Sequence, residues 1–172
     1  MLIDLTEVIK NENGKLTLDE TFDMPEVSFM GEEFDFFEPL RAKGIIFNNS
    51  KALELDMTVS GRAKVHCARC NAPMETVISF PVRETLMRET DENPEDDEII
   101  LYQGTEIELD DIIVSNFLMS VPVKYLCKSD CKGLCPECGI NLNEYTCDCG
   151  KDAMDPRWEK LAEIMKNMND TE

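Results

Sequence analysis

Eight cysteines fall into four pairs along the sequence: Cys67 with Cys70, Cys127 with Cys131, Cys135 with Cys138, and Cys147 with Cys149. A two-residue gap at a tight turn lets two thiolates reach one Zn²⁺ at about 2.3 Å each, and two such pairs complete a tetrahedron. The segment CPECG, residues 135–139, carries this signature most sharply. Pro136 shapes its turn, and Gly139 lets backbone amides approach the sulfurs. Eight thiolates suit two four-cysteine sites holding two structural zinc ions. The economical assignment joins Cys135 and Cys138 to Cys147 and Cys149 as one local ribbon-like site. Cys67 and Cys70 then meet Cys127 and Cys131 and tie the first half of the chain to the second. A rival assignment groups Cys127, Cys131, Cys135 and Cys138 and leaves Cys67 and Cys70 with Cys147 and Cys149.

Thiols at such spacings have other chemistries. Iron–sulfur ligation is an alternative, although the spacings match neither ferredoxin pattern. A redox CxxC calls for a surrounding βαβ pattern, which neither pair has. Catalytic zinc keeps an open coordination position and usually takes His or carboxylate ligands. His66 is the single histidine. Beside Cys67 it is either a substitute ligand or, by strand alternation, a residue of the opposite face. The zinc deaminase pattern fails, because no Glu stands two residues after His66 and Pro136 follows Cys135 rather than preceding it. GxSxG and a phosphate-cradling glycine loop are also missing, so no catalytic residue is assigned, no small-molecule substrate is evident and a non-enzyme is expected.

Basic side chains gather near the same cysteines. Arg62, Lys64 and Arg69 surround the first pair, and Lys124, Lys128 and Lys132, with Tyr125 among them, surround the next. If those two pairs share a zinc, the six could form one local face for RNA or a protein partner. Plain solubilising surface is the simpler reading.

The elements that must position these residues read as an α+β fold, with an antiparallel β-sheet or partial barrel in the first half. Leu53, Leu55, Met57 and Val59 alternate with polar residues, the period of a half-buried strand that leads toward Cys67. Gly61 implies a hairpin or bulge at Gly61-Arg62 before the alternation resumes at Ala63. Met74 to Val82 repeats the pattern, residues 15–22, 41–47 and 99–102 are shorter strands, and the aromatic stretch 34–40 packs on the sheet. Residues 108–121 read as a buried helix, with Leu109, Ile112, Ile113 and Phe117 at helical spacing. Asp110 or Thr105 would cap its start, and Pro122 stops it. A zinc-ribbon-like segment over 127–150 follows. The last element is a C-terminal helix over 155–168, entered through Asp155 and Pro156, whose stripe around Trp158 docks on its own domain or serves a partner. Two regions result, packed as one unit: a mainly β domain over 1–122 and a cysteine-rich module with its helix over 123–172.

Charge bounds the function. The 172 residues carry 36 acidic and 17 basic side chains, a formal net charge of −19, with 42% hydrophobic residues, enough for a real core. Phosphate and anionic membranes repel such a chain unless its cations are concentrated. The acidic N-terminus lacks the basic start of a signal peptide and no apolar run is long enough to span a bilayer, so the expected location is the cytoplasm. In that reducing compartment, clustered cysteines read as metal ligands rather than disulfides. Seven acids stand within residues 89–98, a solvated loop. A cation-binding loop is the alternative, but the EF-hand order is absent. Acidic proteins dock on basic ones, so this loop would steer a basic protein partner.

Taken in order, CARC at 67–70, the acidic spacer, VPVKYLC, DCKGLCPECGINLN at 130–143, CDC at 147–149 and DPRW at 155–158 resemble the YceD family of large ribosomal RNA subunit accumulation proteins. The resemblance covers most of residues 40–165. It implies a bacterial or organellar ribosome biogenesis factor that supports accumulation or processing of large-subunit ribosomal RNA, with metal as a stabiliser. Set against the charge, this favours action through a basic ribosomal or assembly protein, with RNA contact confined to a small face. An adaptor unrelated to RNA and a direct RNA-binding zinc ribbon are the competing readings.

Overall fold

A computed structural model describes residues 1–90 and 99–149, together with Trp158 and Lys160. The acidic residues 91–98 and all of the expected C-terminal helix except Trp158 and Lys160 lie outside the described residues. Those two are helical, and Trp158, expected to anchor on its own domain, is 59% exposed.

The alternation that begins at Leu53 runs without a break through β6 (Leu53–His66), burying Leu53, Leu55, Met57, Val59, Ala63 and Val65 on one face. The expected hairpin or bulge at Gly61 does not form. Gly61 pairs in register with Ile78, and a Cβ on it would stand 2.9 Å from Cγ of the fully buried Leu40. The glycine therefore makes room for a neighbouring side chain rather than turning the strand. The hairpin comes six residues later, where β6 passes into β7 (Pro73–Arg88) through the Cys67–Cys70 turn. β7 answers the pattern by burying Ile78, Phe80, Val82 and Leu86.

These two strands form the middle of a sheet ordered β2 (Lys15–Phe22), β5 (Leu40–Asn48), β6, β7, β8 (Ile99–Tyr102). Neighbours run antiparallel except β8, which lies parallel to β7. Two short ribbons accompany the sheet. β1 (Leu2–Asp4) pairs with β9 (Glu106–Glu108), and β3 (Val27–Phe29) pairs with β4 (Glu32–Phe34). α1 (Thr6–Lys10) buries Val8.

α2 (Asp110–Ser120) is the expected apolar helix, with Ile112, Ile113 and Phe117 buried. It is not covered all round, since Met119 is 77% exposed. Neither expected cap is used: Leu109 holds the N-cap position without a side-chain cap bond, and the Asp110 carboxylate accepts from the N-terminal ammonium instead. At the other end Val121 is extended, the conformation a residue before proline prefers, so Pro122 stops the helix as expected. Phe117 is the knob of the core. Its ring meets Phe34 edge-on at 5.0 Å and Phe80 at 5.6 Å, so the aromatic stretch that begins at Phe34 does pack beneath the sheet. Among the described residues, no helix is long and apolar enough to cross a membrane.

The chain divides into two compact units: Met1–Cys67 with Ala72–Tyr125, and Ala68–Asn71 with Leu126–Glu172. The apolar core lies within the first.

Candidate metal centres

Two CxxC segments take up the same local turn. In Cys67-Ala68-Arg69-Cys70 the Cys67 N–H donates to the Ala72 carbonyl at 2.9 Å, and in Cys135-Pro136-Glu137-Cys138 the Cys135 N–H donates to the Ile140 carbonyl at the same distance. Each turn is followed by a residue in the left-handed region, Asn71 at φ 55° and Gly139 at φ 73°. Asn tolerates that region better than other side chains and Gly occupies it freely. The turn folds each pair of thiols to one side.

Around these turns the eight sulfurs gather as two groups of four: Cys67, Cys70, Cys127 and Cys131, and Cys135, Cys138, Cys147 and Cys149. Within each group all sulfurs lie within 4.8 Å of one another. Four thiolates at about 2.3 Å from a tetrahedral metal stand about 3.8 Å apart, and Cys70 and Cys127 are separated by 3.7 Å. The grouping is the economical one, and the rival set does not form. In the first group Cys67, Cys70 and Cys131 are buried and Cys127 is exposed; in the second only Cys135 is buried. Both groups can hold a metal ion, and neither includes a histidine or carboxylate.

Supporting contacts fix the first group. The Arg69 guanidinium donates to the Cys131 carbonyl at 2.8 Å, and the Arg69 carbonyl accepts from Leu134 N–H at 3.2 Å. Gly133, at φ 78°, passes so close that a Cβ on it would stand 3.1 Å from the Arg69 oxygen. Asn143 is a residue that the cysteine spacing does not reveal. Its Nδ2 donates to Cys131 Sγ at 3.3 Å and its Oδ1 accepts from Lys132 N–H at 2.9 Å, while its own N–H is held by Asn141 Oδ1 at 3.0 Å. The only hint in the sequence is two asparagines spaced by one residue, a pattern suited to Asx turns.

The thiols differ in acidity. The N–H groups of Cys138 and Glu137 pull Cys135 down to about 7 against the opposing effect of burial. Burial raises Cys131, but bonds from the Asn143 side chain and the Gly133 N–H outweigh it and leave that thiol lowered. The hydrogen bond with Cys138, and repulsion from it, push Cys149 up to about 11, and the bond with Cys135 raises Cys147. Cys135 and Cys131 are thus the sulfurs predisposed to ligate as thiolates.

The remaining candidates are placed as follows. His66 sets its Nδ1 3.4 Å from Glu32 Oε1 and takes no part in either group. Arg62 pairs with Glu75 at 3.0 Å and Lys64 with Asp35 at 3.5 Å, and both cations lie over the Phe37 ring. Arg62, Lys64 and Lys124 belong to the first unit, and Arg69, Lys128 and Lys132 to the second. The three lysines at 124, 128 and 132 are exposed.

The sequence model of the family described as "Large ribosomal RNA subunit accumulation protein YceD" matches residues 55–165, a span that takes in both thiol groups, most of β6 and all of β7 and α2. The chain belongs to that family. The uncharacterized protein Rv2926c of Mycobacterium tuberculosis is 32% identical over 117 residues, 66% of this chain, which thereby spans only 56% of that protein's length. The uncharacterized protein YlbN of Bacillus subtilis is 24% identical over 86% of this chain and 87% of its own. A shorter match, 35% identical over 54 residues, covers 31% of this chain and 17% of an Arabidopsis thaliana protein named "Large ribosomal RNA subunit accumulation protein YCED homolog 1, chloroplastic". No solved structure matches the chain at a significant level.

Proposed function

We propose that this protein is a cytoplasmic, non-enzymatic ribosome biogenesis factor that supports accumulation of large-subunit ribosomal RNA. It acts by binding a basic ribosomal or assembly protein, and two zinc ions hold its cysteine-rich unit together. The observation that carries the reading is the family match over residues 55–165. The name of the Arabidopsis relative supports the ribosomal role, and the net charge of −19 supports a cationic partner. Zinc follows from the donor chemistry. Two closed sets of four sulfurs, each including the two thiols of a CxxC turn, are what tetrahedral structural zinc takes. Such a site has no open coordination position for a substrate, consistent with a role without catalysis.

Depletion of the protein in its own cells tests the reading. The ratio of large- to small-subunit ribosomal RNA should fall and recover with the wild-type chain, and the purified protein should carry two zinc ions. An unchanged ratio overturns the ribosomal role. A pull-down washed at low and high salt should retain a basic protein; ribosomal RNA released by salt with no protein beside it would assign the contact to RNA instead.

A further inference from the structure

The outer edge of β7 is open over most of its length. β6 pairs with β7 in one unbroken register, whereas β8 covers only Thr85–Arg88. Pro81 fixes which backbone groups face the open side. Proline has no N–H, so inside a ladder it fits where its nitrogen points away from the paired strand. The N–H and C=O of a strand residue point to one side and alternate along the chain. Glu75, Val77, Ser79 and Arg83 therefore share the outward direction of Pro81. Among the described residues no strand pairs with β7 over this stretch on that side, and no loop hydrogen bond reaches these four backbones.

A cavity of about 120 Å³ runs along the same edge, lined by four consecutive strand residues, 77–80, and opposite them by Phe117, Val121, Pro122 and Tyr125. Successive side chains of a strand point to opposite faces, so a cavity lined by four in a row lies against the backbone edge itself. Val77 is 73% exposed, and Val123, in the segment across from it, 76%.

We propose that this edge accepts an extended segment of a cationic protein as an added strand, with one apolar side chain seated in the cavity. The row of outward N–H and C=O groups recognises an extended backbone, and the cavity recognises an apolar side chain at one position along it. The charge selects among extended chains. A net charge of −19 repels a second copy of this protein and draws a segment bearing Lys or Arg. Pro81 and Arg83 act in the same direction, because proline and charge on an edge discourage pairing of like edges. The proposal rests on the partner reading above and gives that partner a place to bind.

The test titrates the full chain, followed by backbone amide NMR, with a nine-residue peptide of alternating lysine and valine. Two control peptides accompany it: glutamate in place of lysine, and the lysine peptide N-methylated at every second residue. Shifts should concentrate at 75–83 and 117–125, and both controls should bind at least tenfold more weakly. Ser79→Pro removes an outward donor yet leaves the ladder to β6 intact, as Pro81 does, and should weaken the lysine peptide at least tenfold. The N-methylated peptide puts the same question to the wild-type chain should that variant not fold. Equal binding of the glutamate peptide, shifts elsewhere, or indifference to both N-methylation and Ser79→Pro would overturn the proposal. A dimer in sedimentation that Ser79→Pro dissociates would overturn it in favour of a second copy. If the peptide fails while depletion still lowers large-subunit RNA, the ribosomal role stands and this edge is not the docking site. If the peptide binds while the RNA ratio is unchanged, the edge stands and the ribosomal role falls.

Discussion

Asn143 contributes to the first thiol group without being a ligand. One side chain donates to Cys131 Sγ and accepts from the Lys132 N–H, so it both stabilises the thiolate and ties down the backbone that presents it. Groups that hydrogen-bond metal ligands set ligand orientation, and their loss commonly costs 10–100-fold in metal affinity. Asn143→Ala should therefore weaken one of the two metal sites by roughly tenfold or more in chelator competition and leave the other unchanged. Asn143→Asp keeps the acceptor for Lys132, loses the donor and sets a carboxylate beside the sulfur. It should weaken the same site at least as much, and equal loss from both sites would show that Asn143 acts on the whole unit rather than on Cys131. Arg69 shows a similar use of a polar side chain. Its guanidinium sits on the Cys131 carbonyl, so a residue that the sequence offers as a contact for RNA or a partner is engaged in holding its own loop.

At the scale of elements, two glycines in the sheet do different work. A Cβ at Gly44 would stand 2.3 Å from the Asp56 carbonyl oxygen and from Met57 Cα, backbone atoms of the adjacent strand that cannot retreat without separating β5 from β6. At Gly61 the nearest atom is Cγ of the Leu40 side chain at 2.9 Å, with Leu40 Cα next at 3.4 Å, so relief needs a shift of one side chain rather than of a strand. Gly44→Ala should cost about 3 kcal/mol or more and Gly61→Ala about 1–2 kcal/mol, both read from urea midpoints at constant m. Comparable losses at the two positions would mean that the β5–β6 contact relaxes more easily than its geometry implies. The contrast also marks what a sequence can and cannot reveal about this fold. Long strands with alternating burial, β6 and β7 above all, are legible because fourteen or more residues repeat one period. The three-residue strands β1, β3, β4 and β9 are too short to display a period, and their pairing is set by the sheet they accompany. Gly61 misleads because a strand glycine is locally the same whether it bends the chain or admits a neighbour; only Leu40, twenty-one residues away, decides between the two. The cysteine groups are legible because ligand spacing is local chemistry, whereas Asn143 becomes visible only when the loop closes on Cys131.

At the scale of the whole molecule, the two units are stabilised by different means. The first owns the apolar core, built on β6, β7 and Phe117. In the second, residues 126–149 form neither a helix nor a ladder beyond a single bridge between Leu134 and Asn141, and what they bury is chiefly the sulfur of Cys131 and Cys135. Ordering each backbone residue costs about 1–2 kcal/mol, and a loop without apolar contacts has little to offset that. Structural zinc supplies of order 10–16 kcal/mol per site at neutral pH, enough to order such a segment and comparable to the stability of a whole domain. Metal at the proposed sites would also moderate the charge. Eight thiolates would carry the chain to about −27, and two zinc ions would return it to about −23, with the relief placed where the sulfurs crowd. Removal of metal by a strong chelator should therefore abolish amide protection across 127–149 while the β6–β7 ladder between Leu53 and Leu86 stays protected. Hydrogen exchange on the same sample reports both regions at once. Protection that survived across 127–149 after full metal loss would show that the loops pack without it. Collapse of the β6–β7 ladder at the same chelator concentration would show that the first unit's apolar core is not sufficient by itself.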